Sequence, residues 1–218
     1  MVDEMYEVQQ YLKGESIVFN NLYRTCWLMA RWHKQQGLCR MDIRNAIKEW
    51  GENNGIELKF DINGIVDKIF DKEGNIALKS PVIKINKQDI ANIDKRFDNK
   101  KTKFVALAMM CYAKGHARKD GVFFVPAVSL SVWVGINRKS LTNKYINELI
   151  NYELLKMVSA APDFSQYKNL PYSEQGTGYK FNVRLHNSGE YVLEGNDMQK
   201  LFSEIYFPLS REKDTSHF

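Results

Sequence analysis

Five polar side chains within one short stretch have the residue types and spacing to do chemistry. They are Arg138, Lys139, Thr142, Asn143 and Asn147, in the run "NRKSLTNKYINE". Arginine and lysine donate hydrogen bonds to guanine or to phosphate, and asparagine can form a bidentate pair with adenine. The chemistry that this set predicts is recognition of a polyanion, in which no covalent bond is made or broken.

Positive charge is concentrated in the same part of the chain. Residues 76–163 carry fifteen Lys and Arg against seven Asp and Glu, whereas the segments on either side are close to balance. Neutralisation of phosphate by Lys and Arg is the main sequence-independent source of nucleic-acid affinity. We therefore expect phosphate contacts from the basic residues Lys100, Lys101, Lys103, Arg118 and Lys119. The alternative is a solvated basic face.

The sequence offers no pattern typical of a catalytic or metal site. The histidines, His33, His116, His186 and His217, are far apart, and there is no HExxH motif and no GxxxxGK[ST] phosphate loop. Three widely spaced cysteines form no CxxC pair. The closest acidic pairs, Asp67 with Asp71 and Asp94 with Asp98, are typical of solvated helix faces. We expect no catalytic residue, no metal and no cofactor.

The expected location is the cytoplasm. No run of about 18 apolar residues is present, as a membrane-spanning helix would require. The first residues, "MVDEMYEVQQ", lack the basic and then apolar layout of a secretory signal peptide. We therefore expect a soluble protein without a membrane partner.

The elements that position the polar set can be read from "VFFVPAVSLSVWVGINRKSLTNKYINELINYELLKMV". A short strand leads to Pro126 at the start of one helix, and Gly135 permits the tight turn that follows. Asn137 is an N-cap for a second helix, whose predicted buried face is Leu141, Tyr145, Ile146 and Leu149. Two helices joined in this way are the layout of a helix-turn-helix, which presents the second helix to the major groove.

Two strands are predicted after this second helix, at 155–160 and 179–186. Two strands in that position would make the unit a winged helix-turn-helix. The loop between them is long and mixes aromatic residues with Lys168, and Lys180 follows close by. Such a loop could enter a minor groove or stack on single-stranded DNA. The alternative is a loop that its aromatic residues pin to the body of the domain.

At these residues the chain resembles the winged helix-turn-helix domains of phage and plasmid replication initiators and of DnaD-like replisome organisers. The resemblance covers about residues 97–187. It depends on apolar and turn residues at the expected places: Leu130, Val134, Gly135, Ile136, Leu141, Leu149 and Leu154. There are two departures. Tyr152-Glu153 stands where a glycine usually precedes the wing, and the second helix is one residue longer than the commonest spacing.

Residues 1–75 are predicted to form a small helical bundle from helices near 19–36, 41–50 and 62–69, with Met41 on a buried face. This part is similar to the helical domain at the C-terminal end of archaeo-eukaryotic-type primases, and no primase activity is carried over. Residues 76–96 are predicted to be a linker and joining segment, with a short β-branched run at 82–85 that could form a joining strand and a short helix over 88–97. Residues 188–218 are predicted to form a C-terminal helix and tail.

The sequence therefore predicts a mainly α protein, with an N-terminal helical bundle followed by a winged helix-turn-helix with a small β-wing. The expected partner is double-stranded DNA, in the replication of a phage or mobile element. A replication protein and a second copy of the chain are further candidate partners. Three alternatives remain open: a transcription repressor, a module that binds a host protein, and a divergent nuclease or primase accessory enzyme.

Overall fold

The computed structural model describes residues 3–14, 22–71, 77–160 and 176–208. These residues are mainly helical, with small antiparallel sheets. The chain divides into two compact units, of which the first is Asp3–Ser80 and the second begins at Pro81. Each unit has its own apolar core.

The first unit is a set of helices: α1 (Glu4–Lys13), α2 (Leu22–Gln35), α3 (Arg40–Asn53) and α4 (Ile62–Asp71). The predictions of α2, α3 and α4 are confirmed, whereas α1 was not predicted. Met41 is 66% exposed, so its predicted burial is wrong. The buried positions of α3 are Ile43, Ile47 and Trp50, and Met41 lies off that stripe because only residues three or four apart share a helix face.

The second unit alternates helices with short strands. In chain order its elements are β1 (Ile83–Ile85), α5 (Lys87–Asp94), α6 (Lys100–His116), β2 (Phe123–Val125), α7 (Ala127–Val134), α8 (Arg138–Ser140), a π-helical segment (Leu141–Ile146), α9 (Asn147–Asn151), β3 (Leu155–Ser159), β4 (Thr177–Phe181), β5 (Tyr191–Leu193) and α10 (Met198–Tyr206). The elements from α8 to α9 follow one another directly, and we call residues 138–151 the second helix.

Two antiparallel sheets belong to this unit. One has the strand order β2-β4-β3, and the other pairs β1 with β5. In the first sheet Phe123 is the register partner of Tyr179, and Leu155 is the partner of Phe181. The strand that the sequence predicts at 179–186 ends at Phe181, so residues 182–186 are outside it.

The segment that the sequence predicts as a linker and joining segment, 76–96, contains a strand and a helix close to the places expected for them. Strand β1 and helix α5 both belong to the second unit, which begins at Pro81. The Asn86 side chain accepts a hydrogen bond from the backbone N–H of Asp89 at 2.7 Å, and the Asp89 carboxylate accepts one from the N–H of Asn86 at 3.4 Å. This reciprocal cap begins α5 at Lys87.

Helix α6 is the centre of the second core. Every residue from Phe104 to Ala113 is buried. The C-terminal segment packs on the same core, since Phe202 of α10 contacts Phe104 edge to face with ring centroids 5.2 Å apart. The apolar stripe of α10 therefore contributes to the core of its own chain.

A buried ion pair lies at the C-terminal end of α6. The Lys114 ammonium is 2.6 Å from the Asp89 carboxylate, and Asp89 is fully buried. Lys114 also donates to the carbonyl oxygens of Lys84 and His186, and the His186 ring nitrogen Nδ1 is 3.1 Å from Asp89. The Asp89–Lys114 pair and its hydrogen bonds thus connect α5, α6, β1 and the segment after β4.

We expect Asp89→Ala to destabilise the second unit by about 3–5 kcal/mol, because it leaves the buried Lys114 ammonium without a counter-charge. The measurement is urea unfolding followed by circular dichroism. Glu194→Ala is the matched control, since Glu194 pairs with Lys200 on the surface, where ion pairs contribute about 0–1 kcal/mol. Equal losses in the two variants would show that the Asp89 pair has no special role.

Candidate nucleic-acid interface

The turn before the second helix has the backbone geometry that the sequence predicts. Gly135 has φ of 64°, a conformation that glycine adopts without steric penalty. The Asn137 side chain accepts hydrogen bonds from the N–H groups of Lys139 at 2.9 Å and Ser140 at 3.5 Å. The predicted N-cap is confirmed, and it begins the second helix at Arg138.

The middle of the second helix is π-helical, from Leu141 to Ile146. A π-type hydrogen bond spans one residue more than an α-helical bond, so the segment takes in an additional residue. Leu141, Tyr145, Ile146 and Leu149 are buried, as predicted.

The second helix brings the five predicted polar residues onto one element. Arg138, Lys139, Asn143 and Asn147 are exposed, and Thr142 is half-buried. Two of these side chains bond to their own helix. The Thr142 hydroxyl donates to the carbonyl oxygen of Arg138 at 3.0 Å, and the Asn147 amide donates to the carbonyl oxygen of Asn143 at 3.2 Å. Thr142 is therefore the least accessible of the five for contacts with a ligand.

The exposed side of the second helix also carries residues that the sequence reasoning missed. They are Ser140, Lys144 and Asn151. With Asn143 and Asn147 they follow spacings of three and four, which is the period of a polar helix face. That spacing could have found them before the structure was known.

The second helix carries three basic residues, Arg138, Lys139 and Lys144. None of them has an ion-pair partner among the described residues. Lys144 lies over the ring of Tyr145, with its ammonium 5.3 Å from the ring centroid. Within the described ranges, the positive charge of the exposed face is therefore not paired.

The three lysines at the start of α6 lie elsewhere. Thr102 donates a hydrogen bond to Glu148 at 2.7 Å, so the first turn of α6 packs beside the C-terminal part of the second helix. Arg138 is ten residues from Glu148, which corresponds to about 15 Å along a helix axis. The structure therefore does not place these lysines at the N-terminal end of the second helix.

Two of those three lysines have internal partners. Lys103 forms an ion pair with Asp94 at 2.6 Å, and the Lys100 ammonium lies 4.7 Å from the centroid of the Phe207 ring. Lys101 is exposed and has no ion-pair partner in the described ranges. Of these three lysines, Lys101 is the most accessible candidate for a phosphate contact.

The other predicted basic residues lie at the opposite end of α6 or near the sheet. Arg118 and Lys119 are exposed in the turn before β2, where Arg118 forms an ion pair with Asp120 at 3.5 Å. Lys180 is exposed on β4, directly opposite Lys156, a basic residue that the sequence reasoning missed. Lys168 and the loop around it lie outside the described residues.

Two cysteines, Cys26 and Cys111, are buried candidates for a nucleophile in the described residues. Burial raises the pKa of the Cys26 and Cys111 thiols to about 12, so both stay protonated at neutral pH. Among the described residues, no three His, Cys, Asp or Glu side chains are arranged to hold a metal ion. No helix in those residues has the length and apolar character needed to span a membrane.

Comparison of the chain with protein-family models, with curated proteins and with solved structures gave no match. The resemblance to winged helix-turn-helix replication proteins stays a prediction from the sequence. The same holds for the similarity of the N-terminal part to primases.

The turn between the second helix and β3 contains a strained residue. Glu153 has φ of 55°, the left-handed conformation that usually requires glycine. Its carbonyl oxygen accepts a hydrogen bond from the Asn182 amide at 3.0 Å. Glu153 is thus held in a backbone conformation that favours glycine, at a position before β3 where the sequence has none.

We expect Glu153→Gly to stabilise the second unit by about 0.5–1 kcal/mol, because glycine removes the left-handed penalty but loses more conformational entropy on folding. Urea unfolding measures the change. Glu153→Ala is the matched control, since it removes the charge and keeps the Cβ atom, and it should change stability little. If both variants stabilised equally, the charge rather than the backbone would be the cause.

Proposed function

We propose that this protein is a non-catalytic DNA-binding protein, whose second unit is a winged helix-turn-helix that binds double-stranded DNA. The order of helix, strand, helix, tight turn, helix and two antiparallel strands supports this fold. The single observation that carries the proposal is the second helix. It follows a tight turn, and it exposes hydrogen-bond donors whose charge no described residue neutralises.

In this proposal the second helix enters the major groove with its N-terminal part foremost. Arg138 and Lys139 donate to guanine or to phosphate, and Asn143 makes a bidentate pair with adenine. Lys144 and Ser140, beside them on the exposed side, add further donors. Thr142 contributes less to base recognition, since its hydroxyl already donates a hydrogen bond within its own helix.

Phosphate contacts position such a protein on the duplex without reading sequence. Lys101, Arg118, Lys119 and Lys180 are exposed and suit this role. Lys100 and Lys103 are weaker candidates, because contacts within their own chain already engage them. Their location beside the C-terminal part of the second helix would place phosphate contacts far from the bases that Arg138 reads.

The biological role that we propose is replication initiation or organisation on a phage or mobile element, and it rests on the sequence resemblance. The helical first unit would then contact a replication protein or a second copy of the chain. A transcription repressor is the alternative within the same molecular class. Recruitment of a helicase or primase to the bound site would separate the two roles.

The first experiment is selection from a pool of random duplexes and single strands at two salt concentrations. Enrichment of a duplex motif would support the proposal and supply the site for the tests below. No retention of any duplex at the lower salt concentration would overturn it. A protein-interaction module would then be the better account of the basic surface.

On the selected duplex, Arg138→Ala should reduce discrimination at one base position by about 1–3 kcal/mol, because it removes a base contact. Lys101→Ala should weaken all duplexes similarly and lower the slope of log affinity against log salt by about 1, because it removes a phosphate contact. Binding titrations over duplex variants and salt concentrations measure both effects.

Lys48→Ala is the matched control for these variants. It removes the same charge from an exposed position in the first unit. Its affinity for every duplex should equal that of the parent. If Arg138→Ala and Lys101→Ala also behaved like the parent, the proposed DNA-facing surface would be wrong.

A further inference from the structure

The outer face of the β2-β4-β3 sheet is a second surface with the character of a binding site. Register partners on neighbouring antiparallel strands point to the same face. Phe123, Leu155, Tyr179 and Phe181 are all buried, so their face packs on the core. The alternate residues form the opposite face: Phe124, Lys156, Gly178 and Lys180.

Two lysines are paired directly across this outer face. Lys156 on β3 is the register partner of Lys180 on β4, and both are exposed. Like charges placed directly opposite on neighbouring strands destabilise a sheet. In the described part of the chain neither lysine has an ion-pair partner. The pair therefore leaves two positive charges side by side, as an anionic ligand would require.

An aromatic ring lies next to these lysines. Phe124 is half-buried and is the register partner of Gly178. A Cβ atom on Gly178 would lie 2.4 Å from Oγ of Ser159 and 3.1 Å from Cε1 of Phe124, so the Ser159 hydroxyl and the Phe124 ring both rest against β4 at this glycine. Glycine is required here because these two side chains approach the strand closely.

The turn before β2 adds a third basic residue, Arg118, to the face that carries Lys156, Lys180 and Phe124. The Arg118 guanidinium stands 6.0 Å from the centroid of the Phe124 ring, and Arg118 is exposed. The Lys180 stem passes over Gly121 of the same turn, where a Cβ atom would lie 3.5 Å from Cε of Lys180. Arg118 therefore lies beside Phe124, Lys180 lies over the turn that carries Arg118, and Lys156 lies opposite Lys180 on the same face.

We propose that this outer sheet face binds single-stranded nucleic acid. One base stacks on Phe124, and the phosphates on either side contact Lys156, Lys180 and Arg118. Stacking on an aromatic side chain within a basic groove is how proteins bind single strands without sequence preference. A duplex keeps its base faces stacked inside the helix, so the Phe124 ring offers it no such contact.

The inference goes beyond the proposed function, because it concerns a different ligand. Phe124 and Lys156 have no part in the proposed duplex interface, whereas Arg118 and Lys180 are shared by the two surfaces. The variants at Phe124 and Lys156 therefore test this inference separately from the proposed function. A ring that only covered Gly178 would account for Phe124, but it would not account for a lysine pair that has no counter-ion among the described residues.

The test measures binding of the full chain to a 12-residue oligo(dT), to an oligo(U) of equal length and to a duplex. Phe124→Leu keeps an apolar side chain against Gly178 and removes the stacking face. We expect it to weaken oligo(dT) binding about tenfold and to leave duplex binding within about twofold. Phe124→Tyr keeps the ring and should bind oligo(dT) like the parent.

A second pair of variants tests the charges. Lys156→Gln should weaken oligo(dT) binding and flatten its dependence on salt, since one phosphate contact is lost. Lys84→Gln is the matched control, because Lys84 is an exposed strand lysine on β1 in the other sheet. It should leave oligo(dT) binding unchanged. Preference for oligo(U) over oligo(dT) would identify RNA as the ligand, because only RNA carries the 2′-hydroxyl.

Three outcomes would overturn the inference. They are no oligo(dT) or oligo(U) binding by the parent, parental oligo(dT) affinity in both Phe124→Leu and Lys156→Gln, or equal loss of duplex and oligo(dT) binding in Phe124→Leu. Arg138→Ala separates this site from the proposed function. It should impair duplex recognition and leave oligo(dT) binding as in the parent.

Discussion

The second unit depends on one constraint, which is that α6 is apolar on every side. A helix with a single apolar stripe needs one partner, whereas a helix buried on every side from Phe104 to Ala113 must be surrounded. Segments distant in sequence supply that cover, including β1, α10 and the β2-β4-β3 sheet. The surfaces that we propose to bind nucleic acid thus belong to the elements that surround this one buried helix.

The buried ion pair at the end of α6 follows from the same constraint. Where the apolar run ends, Lys114 turns into the interior and meets Asp89, which also caps α5. A buried charge pair contributes little net stability, but it penalises any arrangement in which the partners are apart. Asp89 therefore helps to specify where α5 and the segment after β4 lie, and hence the packing around α6.

The buried ion pair helps to specify one packing, whereas the candidate binding features on the surface reduce local stability. A π-helical segment interrupts the second helix, Glu153 adopts a left-handed backbone, and Lys156 faces Lys180 across two strands. Each is locally unfavourable, and such departures tend to concentrate at functional sites. They lie in the second helix, in the turn that follows it and in strands β3 and β4, which we assign to nucleic-acid binding.

The sequence by itself determined the local features of this protein: helices α2 to α4, the turn at Gly135, the cap at Asn137 and the exposed donors of the second helix. Each of these depends on residues within a turn or two of one another, so periodicity and capping rules suffice. The tertiary structure decided that β1 pairs with β5, that Lys100 and Lys103 have internal partners, and that Lys156 meets Lys180. The apolar run of α6 indicates that this helix is buried, but which segments cover it depends on contacts between elements, which no local pattern encodes.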